Sequence, residues 1–547
     1  MMKLSLKQTL FSDAWAGFFV FLIALPLCLG IASASGFPPI AGIFTAVIGS
    51  VIPLFFSNSE LTIKGPAAGL IAIVAGAVQE FTEIYGANSN DPMLAYKLTL
   101  GIGVAAGVLQ IFFGLIKAGK FSDFFPKAAV HGMLAAIGII IFSKQIHVLF
   151  GVTPLSKTPF DLLGEIPASM MQCNPEVFCI GAVSLALLFG LPMLPEKARK
   201  VLPAPMIVLI LGITLGYVFD LEHEHMYLFL DSHEYMLGPK FLVTIPDNIL
   251  KGFTFPDFSA VFTLAGAKWI LLFSMIGTLE SLISAKAVDM LDPEKRKTNL
   301  DGDMLGVGVA NTAVALIGGL PMISEILRSK ANIDNGAKSR FANFFHGMFL
   351  LLFVVFVPWL IHSIPMASLA ALLVYTGYRL ASPGEFIKTY KIGPAQIVVF
   401  TATTIAVLAT DLLIGIAIGM LVKVFIHLWN GAKLKHLFQP ELTIDVVDED
   451  HVVLKVQGAM IFTNWLSFKG VLQKVINYKV IKIDLGHSNL IDHTVMESLE
   501  ELIHESHGEN GRIEVIGLDE LKPVSKHPYA ARKSIVITSP VYTPKFK

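Results

Sequence analysis

The sequence predicts a polytopic α-helical membrane protein of fourteen membrane segments in a seven-plus-seven inverted repeat, followed by a small α/β domain. Three observations carry that prediction. Of 547 residues, 54% are hydrophobic and only 15% are charged, with a mean hydropathy of +0.67, a balance no soluble globular chain shows. Apolar runs of about twenty residues, the length that crosses a bilayer core, recur as far as residue 430. Beyond Lys435 the pattern shortens to alternating strand-like runs between polar turns. A formal net charge of −1 excludes a nucleic-acid partner, which requires a basic surface to displace counterions. Cys28, Cys173 and Cys179 have no metal-ligand spacing and read as inert thiols.

The chain opens with an apolar run of full spanning length containing Pro26, so it reads as a first helix rather than a cleaved leader. Splitting at Pro, Gly and charge clusters gives segments near 14–35, 39–56, 66–80, 97–116, 126–146, 176–192, 203–219, 261–285, 303–319, 325–336, 343–362, 365–380, 393–410 and 411–430. The third and tenth are too short to cross on their own and read as half-helices with extended lead-ins. Lys3, Lys7, Lys117 to Lys127, Lys197 to Lys200, Lys295 to Lys297, Lys338, Arg340, Arg379 to Lys391, Lys433 and Lys435 then fall on one side. That asymmetry predicts cytoplasmic termini in the cell's inner (plasma) membrane. A long acidic connection, about 220–250, divides the segments into repeats of about 14–219 and 261–430. Seven is odd, so the halves must be inverted.

The transmembrane domain is predicted to occupy 1–435, an α/β domain 436–532 and a flexible tail 533–547. In the α/β domain, residues 442–456 read as two strands around an acidic turn, Trp465 to Val475 as a helix, 480–485 as a buried strand, Thr494 to His504 as a helix and 512–518 as a strand.

Two stretches carry the chemistry. GGLPMISEILRSKANIDNG, Gly318 to Gly336, sets Glu325, Arg328 and Lys330 inside an apolar region. Charge at a bilayer centre costs about 2.5–3.5 kcal/mol on the lenient scale, so it faces a partner, a wet cavity or a substrate. Pro321 suits an extended lead-in with a helix starting near Ser324, leaving free N–H groups around Ile326 to Ser329. Such a helix end with Arg328 in its first turn suits a small anion. LTIKGPAAGLIAIVAGAV, Leu61 to Val78, is its counterpart in the first half: Gly65-Pro66 opens a helix whose early Ala67, Ala68 and Gly69 allow close backbone approach. Matching breaks in the two halves point to a transporter's binding site with the two helix starts facing each other. The plainer reading of either break is an ordinary Gly/Pro interruption satisfied by neighbouring helices.

Glu280 lies within LLFSMIGTLESLISA, where a buried carboxyl suits proton exchange; the plainer reading is a neutral carboxyl fixing helix packing. Lys286, Asp289 and Asp292 read as interfacial. His131, His147, His346 and His362 lack metal-site spacing and read as packing groups, Phe18, Phe19 and Phe21 as lipid- or core-facing, and Asp411 as an exposed loop charge.

This combination resembles the SulP family of anion transporters over nearly the whole chain. The resemblance is carried by IALPLCLGIASASGFPPIAGIFTAVIG, GPAAG, GTLESLISAKAVDMLDP, RSKAN and a C-terminal stretch similar to a STAS domain. It implies core and gate domains, a homodimer, elevator-like movement of a small inorganic anion through the lipid bilayer, and no cofactor. By motif position it implies anion contacts at Ala67, Ala68, Gly69, Arg328 and Ser329, and ion coupling at Glu280 with Ser284, one turn apart on one face. The coupling ion is expected to be a proton, with sodium at Glu280 and Ser284 as the alternative. The chain departs from the family pattern at Leu327, where many relatives carry Ser or Thr, and at Glu325, expected to modulate the site by pairing with Arg328 when no anion is bound. In IDLGHSNLIDHTVMESL, Asp492, His493 and Thr494 stand where soluble STAS relatives carry a phosphorylatable serine, so serine phosphorylation is not expected there; because a complete inverted repeat ends before it, the domain is expected to be regulatory or assembly-related, with a cytoplasmic partner. Substrate expectations are bicarbonate, which the GTLESLISAKAVDMLDP and RSKAN wording suggests, or sulfate. The alternatives are a passive anion channel or exchanger, and a dicarboxylate transporter on the same fold; the Arg328 charge argues against a neutral nucleobase. No nucleophile with its base and no metal cluster points to an enzyme.

Overall fold

A computed structural model describes residues 6–534 except 87–88, 120–123, 157, 194, 196–202, 230–232, 247 and 507–511. Each of the fourteen predicted segments falls on a helix or a helix pair. Local chemistry starts them where the sequence changes character. Proline occupies the first turn at Pro39, Pro175, Pro205, Pro358 and Pro394, where its missing N–H costs nothing. Asn174, Thr263, Asn299 and Asp411 cap their helices by accepting from Val177, Gly266, Gly302 and Ile414 N–H. Asp411 is therefore a helix cap rather than a bare loop charge. Among the described residues, eight helices are long and apolar enough to cross a membrane, and three shorter apolar ones accompany them.

The third segment differs from expectation. It runs over Ala68–Tyr85 for 18 residues, about 27 Å at 1.5 Å per residue, and so is long enough to cross. Its end is extended because Glu80 is not left bare: the carboxylate accepts from Lys268 Nζ at 2.9 Å and Trp269 Nε1 at 3.0 Å. The tenth, Ile326–Asp334, has 9 residues and is truly short. Gly336, at φ 85, follows its end, a backbone conformation glycine adopts without penalty.

Both lead-ins are strands. β1 (Ile63–Pro66) and β4 (Met322–Glu325) pair antiparallel, with Ile63 opposite Glu325 and Pro66 opposite Met322. The helix starts consequently move two residues on from those expected. Gly65 and Pro66 belong to the strand and the first turn begins at Ala68; Ser324 is held extended by its N–H to Ser281 Oγ at 3.2 Å and by pairing with Lys64, and the tenth segment begins at Ile326. Ahead of the α/β domain, the sequence reading missed helices Pro159–Met171 and Pro383–Ile392 and, in the acidic connection, a hairpin of β2 (His225–Phe229) and β3 (His233–Leu237) with Tyr227 opposite Tyr235.

The chain forms two compact units, 1–122 with 134–381, and 123–133 with 382–547. The first has a core in which Leu25 and Leu29 of the opening helix (Leu6–Ala34) belong to one cluster with Ile40, Ile43, Met322 and Leu350. The second joins Pro383–Ile392, Pro394–Ala409 and Leu412–Trp429 to the α/β domain. There, the expected strands and helices appear as β5 (Glu441–Val446), β6 (His451–Met460), Phe462–Lys474, β7 (Val480–Asp484), His493–Ser506 and β9 (Arg512–Ile516). The sheet runs in the order β10-β11-β8-β6-β7-β9, with β5 also on β6; β8 is Ser488–Ile491, β10 Leu521–Pro523 and β11 Arg532–Ser534. Parallel pairing of β6 with β7 and β8 buries Val452, Leu454, Ile481 and Ile483 against Trp465, Phe468, Val495 and Leu499. Lys533 and Ser534, expected in a tail, lie in β11, where Lys533 Nζ also donates to Asn430 Oδ1 at 2.7 Å. Residues 535–547 lie outside the described residues.

Candidate functional site

The β1–β4 pair brings the two helix starts together. Ile63 N–H donates to Ser329 Oγ at 2.8 Å and Asn332 Nδ2 to Leu61 O at 3.1 Å, so the first turns of the tenth segment are tied to β1. Arg328, 1% exposed, donates from Nη2 to Pro66 O at 3.2 Å and from Nη1 to Cys28 Sγ at 3.5 Å, while Nε has no partner. A Cβ at Gly65 would lie 2.4 Å from Arg328 Nη1, so the guanidinium would have to move aside.

On the other side, Ala67 is extended and Ala68–Leu70 form a tight turn that leads into the helix. Leu70 N–H already donates to Ala67 O, which leaves the N–H groups of Ala68 and Gly69 as the free donors of this end. Gly69 is a second close approach: a Cβ there would crowd both carboxylate oxygens of Glu280, which would have to move aside. Glu280 is 8% exposed and its Oε1 is buried without a partner. Ser284 is buried four residues later on the same helix.

Glu325 does not form the ion pair expected of it. It is the last residue of β4 and the cap position of the tenth segment, and its side chain makes no capping hydrogen bond there. Its place on the last rung of the ladder is opposite Ile63. Ser329 stands at the fourth position of its helix. Its hydroxyl donates to Glu325 O and accepts from Ile63 N–H, and as the fourth residue of its helix its N–H lies beyond the free set, which is Ile326, Leu327 and Arg328. Ala67, Ala68, Gly69, Arg328, Glu280 and Glu325 are thus brought around one crossing, while Ser329 supports it from behind. Ile326 and Leu327, at the start of the tenth segment, are 36% and 47% exposed.

Sequence reasoning missed a second charge cluster one residue away. Lys64 Nζ meets Asp303 Oδ1 at 2.5 Å, Ser324 Oγ at 2.7 Å and Thr62 Oγ1 at 3.2 Å. Asp303 also accepts from Ser57 Oγ at 2.5 Å and Ser324 Oγ at 3.3 Å, and Ser281, next to Glu280, donates to Ser324 Oγ at 3.2 Å. All six side chains are buried. The signal was present as opposite charges inside two apolar segments, one in each half.

A third cluster lies in the second unit. Asp492 Oδ2 is 3.1 Å from His427 Nε2 and 3.9 Å from Lys423 Nζ, and Oδ1 accepts from Val495 N–H at 2.8 Å. Burial pushes the Asp492 carboxyl up, but Lys423, His427 and the Val495 N–H outweigh it and hold the group well below the usual carboxylate range. Lys423 and His427 stand at i and i+4 in an apolar helix, which was the overlooked signal. Of the histidines read as packing groups, His147 is buried with Ser169 Oγ at 2.8 Å and Leu162 O at 3.1 Å.

The sulfate permease family model matches residues 10–403. YvdB of Bacillus subtilis is 26% identical over 92% of this chain and 91% of its own length. Among solved structures, the transmembrane domain of a cyanobacterial bicarbonate transporter, BicA, aligns with a TM-score of 0.62 at 20% identity, covering 76% of this chain and 98% of that one. The murine Slc26a9 anion transporter in its inward-facing state aligns with a TM-score of 0.65 at 13% identity, over 94% and 86% of the two chains.

Proposed function

The chain belongs to the sulfate permease family, and from that premise we propose that it is a secondary transporter of bicarbonate or sulfate, with the anion held between the starts of the third and tenth segments. The observation that carries this reading is a matched pair of vacancies: Arg328 Nε and Glu280 Oε1 are both buried without partners on the two sides of one strand crossing. Buried polar groups are nearly always paired, so a donor and an acceptor left open together suit a traffic of anion and coupling ion.

In this reading Arg328 supplies the fixed positive charge, the N–H groups of Ala68, Gly69, Ile326 and Leu327 supply directed donors, and Ala67 and Ser329 hold the two ends in place. Glu280 takes up the coupling proton, whose charge offsets that of the anion during crossing; Ser284 would join Glu280 in holding sodium if sodium were the coupling ion. Elevator-like movement, a homodimer in the inner membrane, cytoplasmic termini and a regulatory or assembly role for the STAS-like domain complete the proposal.

The test is uptake of labelled bicarbonate and sulfate into proteoliposomes by Glu280→Gln, which mimics the protonated carboxyl. It is expected to bind and exchange anion but not to concentrate it under an inward proton gradient. Accumulation at the wild-type level would remove Glu280 from coupling. Accumulation by wild type only when sodium is supplied would replace the proton with sodium, and no accumulation under any gradient would leave a passive exchanger or channel.

A further inference from the structure

We propose that His346 takes up a proton together with a doubly charged anion, and is the residue through which a site suited to a monoanion also admits sulfate. The proposal rests on the anion-site reading above and extends it to the choice of ion. His346 lies on the helix Phe341–Phe356 and is 0% exposed. Ser50 Oγ donates its single hydrogen to Ala46 O at 2.6 Å, so toward His346 Nδ1, 3.4 Å away, it can only accept. In the neutral ring the hydrogen therefore sits on Nδ1, and Nε2 is a bare acceptor. Nε2 is buried and has no partner, an omission that a ring serving only to pack would not need.

The ring stands one layer behind the guanidinium. A Cβ on Gly65 would press on Arg328 Nη1 and lie 4.0 Å from Ala46 Cβ, and a Cβ on Gly347 would press on Ser50 Oγ and lie 3.4 Å from Ala46 O. The turn from Ala46 to Ser50, in the helix Pro39–Val51, is thus the layer between Arg328 and the segment of His346. That segment is also fastened to the crossing: Asn343, one turn before His346, accepts from Lys64 N–H at 3.3 Å and donates to Gly49 O at 3.0 Å. The other charges on the surrounding elements are engaged. Lys64 is closed by Asp303; Asp13 of the opening helix accepts from Lys338 and Ser339 N–H at 2.6 and 3.0 Å; Arg340 pairs with Glu60 at 3.0 Å. On the opening helix the Cys28 thiol meets Arg328 Nη1 at 3.5 Å. Arg328 remains as the cation with an open N–H, with Glu280 and Glu325 around the same crossing.

Sulfate brings one negative charge more than bicarbonate into the same surroundings, whatever the fixed groups contribute. In an apolar interior such an excess acts across the thickness of a helix turn, where screening is far weaker than in water. With Arg328 alone, a charged ring meets only repulsion; with sulfate held between the helix starts, it meets attraction as well. Glu280 takes its proton with either anion in the reading above. The second charge of sulfate calls for one proton more, and the bare Nε2 of His346 is placed to accept it.

The experiment measures half-saturation for labelled sulfate and bicarbonate in proteoliposomes of the full chain, in exchange mode with equal pH on both sides, from about pH 6 to 8. Bicarbonate is expressed as the free ion. Wild type, His346→Gln, His346→Asn, Glu280→Gln and Arg328→Ala are compared, each first shown to be monodisperse. A proton taken up with each sulfate tightens binding by up to about tenfold for each unit of pH lowered. In wild type, sulfate half-saturation is therefore expected to fall on acidification more steeply than that of bicarbonate, by up to that factor. His346→Gln and His346→Asn, neither of which can be charged, are expected to lose the excess slope and to bind sulfate more weakly at the acid end, whereas Glu280→Gln keeps the excess. Equal slopes in wild type overturn the proposal, and so does the absence of saturable sulfate uptake. An excess slope that survives in His346→Gln or His346→Asn overturns it too, because the proton then goes to another group such as Glu325. Arg328→Ala separates the two levels: if it loses saturable uptake while the wild-type slopes are equal, the site stands and the role of His346 falls; if it keeps wild-type half-saturation, the site itself falls.

Discussion

Two charged groups lie side by side on the same crossed strands, and they are finished to different degrees. Around Lys64 the Asp303 carboxylate and the Ser324 and Thr62 hydroxyls meet the ammonium group. Three residues past β4, Arg328 keeps an unused N–H, and Glu280 keeps an unused carboxylate oxygen against Gly69. Both groups are buried to a similar degree, so burial does not distinguish them. Completeness does: a satisfied pair holds the backbone, and an unsatisfied one is open to something that comes and goes.

The largest expected effect breaks the finished side. Lys64→Met or Asp303→Asn alone strands a buried charge, which costs about 3–5 kcal/mol, and is expected to abolish recovery of folded protein; the double substitution is expected to restore part of it. A single variant that purifies with wild-type thermal stability would erase the distinction drawn here. Next comes the open side. Arg328→Ala is expected to remain folded, since that guanidinium meets only one carbonyl and one thiol, and to lose saturable anion uptake, with Arg328→Lys keeping part of it because an ammonium cannot reproduce the planar fork. Uptake with unchanged half-saturation in Arg328→Ala would put the anion elsewhere.

A smaller effect is expected far from the crossing. Asp492→Asn keeps a helix-capping oxygen but loses its charged contacts with His427 and Lys423, a loss of about 1.5–3 kcal/mol, read as a lower melting temperature with anion half-saturation intact. By the same contacts, truncation after His436 leaves Lys423 and His427 without their carboxylate. Such a truncation is expected to be less stable than the full chain yet to retain anion binding; complete loss of binding in a well-folded truncation would make the STAS-like domain part of the pathway. The smallest expected effect is none. Because the Asp492 carboxyl lies below its unfolded value, its stabilisation is present above the unfolded carboxylate pKa of about 3.9 and is lost only as pH falls through the lower folded value. The difference in melting temperature between wild type and Asp492→Asn should hardly change from about pH 7 to 8, above the ordinary imidazole range of the neighbouring His427; a difference that shrinks with falling pH in that window would show the carboxylate titrating there.

What could be read from the sequence follows from how far apart the interacting residues are. Membrane segments were legible because about twenty consecutive apolar residues are a local property, and the two broken segments because Pro66 and Pro321 interrupt them locally. Their starts were misplaced by two residues because Ser324 and Gly65 are held in strands by partners in the other half. Arg328 was legible as an isolated charge. The pairing of Lys64 with Asp303 was not, since 239 residues separate them. In the α/β domain, the long apolar strands were found and the short strands β8, β10 and β11 were not, for three or four residues give alternation too little room to appear.

The four-rung ladder of β1 and β4 also acts as a ruler. The width between the two helix ends is fixed by backbone pairing from Ile63 to Pro66 and from Met322 to Glu325, so exchanging side chains around the crossing alters how firmly an ion is gripped without altering the calibre of the opening. Only inserting or deleting a rung would do that, and a one-residue slip would turn Lys64 and Ser324 to the opposite face. Among related chains that keep this ladder at equal length, tolerance for ion radius should vary far less than affinity does.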